Sequence, residues 1–132
     1  MFKKIEILII IINIIFFSYY SIQLLLFTDE FAINNLGFFN HAVAGLSEVL
    51  GIIFITFIIG FVIIIFRDFR KQLPFLLSIF IFQLLAALNF WRYVFTNSPG
   101  ETSLNIITSN AIIFSIMVLF NFLLLGKNFT KL

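Results

Sequence analysis

The sequence predicts an all-α fold: an integral membrane four-helix bundle, one domain over residues 1–132, with both termini on the cytoplasmic side. Three observations predict it. Composition is the first: 62% of residues are hydrophobic, 11% are charged and mean hydropathy is +1.18, whereas ordinary soluble domains are about 45–50% apolar and about 25% charged. Second, short polar stretches separate four apolar runs of the roughly 20 residues needed to cross a bilayer. Third, the basic residues are asymmetric. Lys3, Lys4, Arg67, Arg70, Lys71, Lys127 and Lys131 fall on one side of the four runs and only Arg92 on the other. The positive-inside rule makes the richer side cytoplasmic, and the expected location is a bacterial inner (plasma) membrane.

The first span is expected over residues 7–27, after an amphipathic lead that carries Lys3, Lys4 and Glu6. A basic start before an apolar run also suits a signal peptide, but such cores are usually about 7–15 residues and end at a small-x-small site. Neither Ser18 nor Ser21 sits in such a site, so the run is expected to remain as a span. Residues 28–40 combine Asp29 and Glu30 with Phe31, Leu36, Phe38 and Phe39, a mixture suited to a short segment along the membrane surface. An ordinary loop is the plainer alternative.

The second span is expected over residues 41–66, followed by a charged turn from Arg67 to Lys71. The third, over 74–95, opens on Pro74, which is tolerated at a helix start because its missing N–H would be unpaired there anyway. Asn97, Ser98, Pro99 and Gly100 form a turn. The fourth span is expected over 102–125, with Gly126 and Lys127 as its stop.

Several functional classes are excluded at this level. With no cysteine there can be no disulfide, thiolate catalysis or cysteine-ligated metal. A single histidine cannot supply a bis-histidine haem. A net charge of +2, confined to loops and ends, does not suggest nucleic acid. The 21 phenylalanines are expected mainly as residues favourable in hydrocarbon.

The chemistry-bearing residues concentrate in the outward half of the spans. His41 and Glu48 are seven residues apart, two helical turns on nearly one face, with Ala44, Gly45 and Gly51 beside them. Small residues there let a neighbouring helix approach closely. The third span adds Asn89, Arg92 and Tyr93, and the fourth adds Asn105 and Ser109. An ionisable group within a span costs about 2.5–3.5 kcal/mol, so it usually faces the bundle interior and finds a partner. Glu48 and Arg92 are therefore expected to point inward and pair, lining an outward-opening polar cavity or plug with His41, Asn89, Tyr93, Asn105 and Ser109. Asn13, Thr56, Ser78, Gln83, Ser115 and Asn121 are exceptions in a drier inward half.

The string Gly45-Leu-Ser-Glu48-Val-Leu-Gly51, followed by an apolar half-helix, Gly60 and the basic turn at Arg67 to Lys71, resembles the second span of DoxX-like small membrane proteins. That resemblance implies a four-helix bundle with a role beside membrane redox or quinone-linked partners, with Glu48 at the family position. No complete catalytic constellation is visible, which favours a non-catalytic accessory subunit or interaction partner of a larger membrane complex. The alternative is a protein that binds a lipophilic small molecule such as a quinone, or handles protons, around Glu48 and Arg92. Expected partners are the lipid bilayer and a membrane protein or further copies of the chain, with no nucleic acid and no metal.

Overall fold

The computed structural model describes residues 4–67, 69–98, 100 and 102–129, the side chains of residues 69, 70, 128 and 129 excepted. Among the charged residues, Lys3, Asp68, Glu101, Lys131 and the side chain of Arg70 lie outside the described residues. The described chain is helical apart from short connections: α1 (Lys4–Leu26), α2 (Thr28–Leu36), α3 (His41–Phe66), a 3₁₀ turn (Phe69–Gln72), α4 (Leu73–Thr96) and α5 (Leu104–Phe129). The four longer helices are each long and apolar enough to cross a membrane.

Local signals account for most boundaries. Residues 28–36 form a helix rather than a loop. It is closed by Gly37 in the left-handed conformation (φ 79°), whose N–H reaches the Ile33 carbonyl at 3.0 Å. Only glycine adopts that conformation freely. Asn40 caps α3 by accepting the Val43 N–H at 2.9 Å, satisfying a donor that has no intrahelical partner. Pro74 sits in the first turn of α4 as expected.

Two boundaries differ from expectation at α5. It begins at Leu104 rather than residue 102, because Thr102 is engaged in the preceding turn, donating to Asn97 Oδ1 while its carbonyl accepts from Asn97 Nδ2. It also runs through Gly126 to Phe129. Glycine stops a helix when it takes a left-handed conformation, and only Gly37 and Gly100 have positive φ here. Within a helix Gly126 costs about 1 kcal/mol relative to alanine, too little by itself to end one.

Side-chain contacts set the topology. Ser21 meets Gly51 and Phe17 meets Phe61, so α1 and α3 are antiparallel. Phe54 meets Phe82 and Phe61 meets Phe75. Trp91 meets Ser115 and Gln83 meets Asn121. The helices therefore run up, down, up, down, with Lys4 and Phe129 at one end, the terminal end, and α2 at the other.

The helices form two close pairs, α1 with α3 and α4 with α5. Where α1 and α3 are closest, a Cβ on Gly51 would lie 2.7 Å from Leu25 Cγ. Between the pairs, phenylalanines fill the gap: by ring centroid Phe17 lies 6.4 Å from Phe82, Phe54 5.7 Å from Phe82, and Phe16 4.9 Å from Phe114. These separations suit edge-to-face and tilted aromatic contact. Many of the phenylalanines are thus internal packing rather than lipid-facing surface.

Candidate functional site

At mid-height the two helix pairs are joined by three amides. Asn13 (α1), Gln83 (α4) and Asn121 (α5) are all buried, at 0%, 0% and 2% exposure. Asn13 and Asn121 exchange two hydrogen bonds, Nδ2 to Oδ1 in each direction, both 2.9 Å. Gln83 donates Nε2 to Asn13 Oδ1 at 3.1 Å, and its Oε1 accepts from Asn121 Nδ2. The remaining Asn13 proton goes to the Ile9 carbonyl at 2.9 Å. An amide offers both donor and acceptor, so three of them can satisfy one another without charge. This arrangement holds helices together. Amides neither titrate nor attack.

A second chain of polar contacts lies nearer the α2 end. Tyr20 donates its hydroxyl to Asn110 Oδ1 at 2.7 Å, and Asn110 donates to Asn35 Oδ1 at 2.7 Å. Asn35 in turn donates to the Phe31 carbonyl. A polar ladder, buried at Tyr20 and Asn110 and half-buried at Asn35, therefore fixes α2 against α1 and α5. Hydroxyls along the helices turn back on their own backbone: Thr28, Ser78, Thr96, Thr108, Ser109 and Ser115 each donate to the carbonyl four residues earlier. Among the described residues no buried side-chain nitrogen or oxygen lacks a hydrogen-bond partner.

The residues singled out by sequence sit elsewhere. His41, Glu48, Asn89, Arg92, Tyr93, Asn105 and Ser109 are all exposed, spread over the outer faces of α3, α4 and α5. The expected inward Glu48–Arg92 pair and the cavity around it do not form. On α3 the inward arc is Ser47, Gly51, Phe54, Phe61 and Ile64, and Glu48, one residue and about 100° on from Ser47, turns outward. On α4, Arg92 is nine residues from buried Gln83, half a turn around the helix. It points away from the bundle, its guanidinium 4.9 Å from the Tyr93 ring centroid. Phenylalanines, not charges, occupy the space between α3 and α4.

The sequence reading treated Asn13, Gln83 and Asn121 as exceptions, and it missed Asn110 altogether. A signal was present. Asn13 is nine residues from one end of α1, Gln83 ten from the start of α4 and Asn121 eight from the end of α5, which puts all three about 12–15 Å from the terminal end. Glu6, read as part of the lead, is buried in the first turn of α1.

One open groove of about 400 Å³ lies at the α2 end, lined by Ile33, Asn34, Gly37, Gly100, Thr102, Ser103 and Ile106. None of the seven candidate residues borders it. Taken together, the fold and its polar groups define a small all-helical protein with four helices fit to cross a membrane, held by internal amide and aromatic contacts. No family model, no curated protein and no solved structure matches the chain.

Proposed function

We propose that this chain is a multi-pass membrane protein that acts as a non-catalytic interaction partner within a larger membrane assembly. The observation that carries the reading is Glu48. It lies seven residues into α3, about 10 Å along the axis from the α2 end, on the lateral surface with no partner among the described residues. A carboxylate there is costly in lipid, and a docked protein helix can offset that cost with a hydrogen bond or a cation. Ala44 and Gly45, one turn away, leave room for such a helix, since a Cβ on Gly45 would meet nothing within 4 Å. The DoxX-like resemblance of residues 45–51 supports the same reading, with redox or quinone-linked partners, and also puts weight on Glu48.

A photoreactive benzophenone side chain at Ile52, one turn from Glu48 and exposed, tests this in native membranes. The expected result is a discrete protein adduct that falls several-fold when Glu48→Gln is added, while the same probe at Leu119 on α5 gives lipid adducts alone. Lipid adducts alone at Ile52 would overturn the reading.

The proposed orientation puts both termini in the cytoplasm, supported by Lys4, Arg67, Lys71 and Lys127 at the terminal end. Because the sequence has no cysteine, Asn34→Cys and Ser98→Cys should react with an impermeant maleimide applied outside intact cells. Phe69→Cys and Phe129→Cys should react only after lysis. The reverse pattern would invert the molecule.

A further inference from the structure

We propose that the chain associates side by side with further copies of itself, Glu48 of one copy meeting Arg92 of the next. This deepens the proposed function and rests on its reading of the α3 lateral face as a docking surface. Charge complementarity carries it. Glu48 and Arg92 are of opposite sign, both are exposed, and among the described residues no hydrogen bond or ion pair engages either side chain, the Arg92 guanidinium resting on its neighbour Tyr93. They cannot meet within one copy, because Arg92 faces away from the core of α4 and phenylalanines fill the space between α3 and α4.

Depth supplies a second constraint. Copies inserted in one orientation are related by rotation about the membrane normal, so partner residues on neighbouring copies must lie at the same level. Glu48 is seven residues from the α2 end of α3 and Arg92 four from the α2 end of α4. At 1.5 Å per residue these are about 10 Å and about 6 Å, a difference an arginine side chain spans. Each copy contributes one charge of each sign, so a closed ring leaves neither unpaired.

Shape agrees with charge. Beside Glu48, the surface at Gly45 is open. Beside Arg92 on the same outer arc of α4 are Leu85 and Leu88, 60% and 58% exposed, bulky enough to enter the space over Gly45. Asn89, one turn before Arg92 and with no side-chain hydrogen bond among the described residues, adds an amide donor on the same side. The contact is head-to-tail, α3 of one copy against α4 of the next.

Two tagged forms, Ala44→Cys and Leu88→Cys, reconstituted together in phosphatidylcholine vesicles and oxidised, test the geometry. Disulfide between Ala44→Cys on one copy and Leu88→Cys on the other should exceed either like-with-like product about tenfold. Adding Glu48→Arg to both forms should lower it about tenfold, and Glu48→Arg with Arg92→Glu in the same chains should restore it. Leu88, Glu48 and Arg92 are exposed and Ala44 is half-buried, so helix content by circular dichroism should not change. A monomer at every protein-to-lipid ratio, a dominant like-with-like product, or a yield indifferent to charge reversal would overturn the pairing. The Ile52 probe separates the two proposals. A monomer that still gives a single adduct of higher mass with a different protein overturns self-association alone, whereas lipid adducts alone overturn both.

Discussion

Asn13→Leu is expected to lower stability in detergent by about 2–4 kcal/mol, a large effect for a near-isosteric change. The substitution leaves two buried atoms without partners, Gln83 Nε2 and the Oδ1 of Asn121, since Asn13 is what each of them bonds. An orphaned buried donor or acceptor costs about 1–3 kcal/mol. Hydrogen bonds between membrane helices average only about 0.6 kcal/mol, because an unfolded chain in lipid also finds partners. The larger figure applies here, as Gln83 and Asn121 stay folded and enclosed. Replacing all three amides with leucine removes the orphans together with their partners. That triple variant is expected near or above wild-type stability, as when buried polar groups are exchanged for apolar ones of similar shape. Thermal unfolding of wild type, single and triple variants checks the pair of outcomes. A triple variant as unstable as the single would show that the amides contribute more than mutual satisfaction.

How much of this was legible in the sequence follows from what each pattern encodes. Hydropathy alone placed the four long helices to within a few residues, because a helix fit to cross hydrocarbon needs length and apolarity and little else. The turn formers from Asn97 to Gly100 and Pro74 punctuated them. What could not be read was which side of each helix faces its neighbours. In α3 nearly every residue is apolar, so no polar stripe marks the outward face, and the rule that charges go inward was the remaining guide. It failed at Glu48. Neutral amides satisfied one another in the interior, and phenylalanines filled the rest, leaving no space or partner for a carboxylate. Asn13, Gln83 and Asn121 could have been found by depth matching across the spans, but Asn110 lies beside outward-facing Ser109 and nothing local distinguishes the two.

Gly51→Leu is expected to cost about 3 kcal/mol and to loosen α1 from α3. A Cβ on Gly51 would lie 2.7 Å from Leu25 Cγ and 3.2 Å from Leu24 Cβ, the latter held close to the α1 backbone, so the helices themselves must separate. Separation would also stretch the Ser21 hydrogen bond to the Gly51 carbonyl, already 3.3 Å, and open the contacts around Phe17. Overpacking a well-filled interface typically costs about 1–3 kcal/mol, and a leucine side chain falls at the top of that range. Gly60 makes the informative contrast. A Cβ there would run into Phe75 Cζ, yet that atom is the tip of a half-buried ring that can swing aside. Gly60→Ala is therefore expected to cost about 1 kcal/mol despite the closer approach. Gly45→Ala meets open space and should stabilise the isolated chain, by up to about 1 kcal/mol of helix propensity. Unfolding midpoints in one detergent give the order: Gly45→Ala highest, Gly60→Ala next, Gly51→Leu lowest. A Gly51→Leu variant as stable as Gly60→Ala would mean that α1 and α3 can part at little cost, and that the close pairing of these helices is not what holds the molecule together.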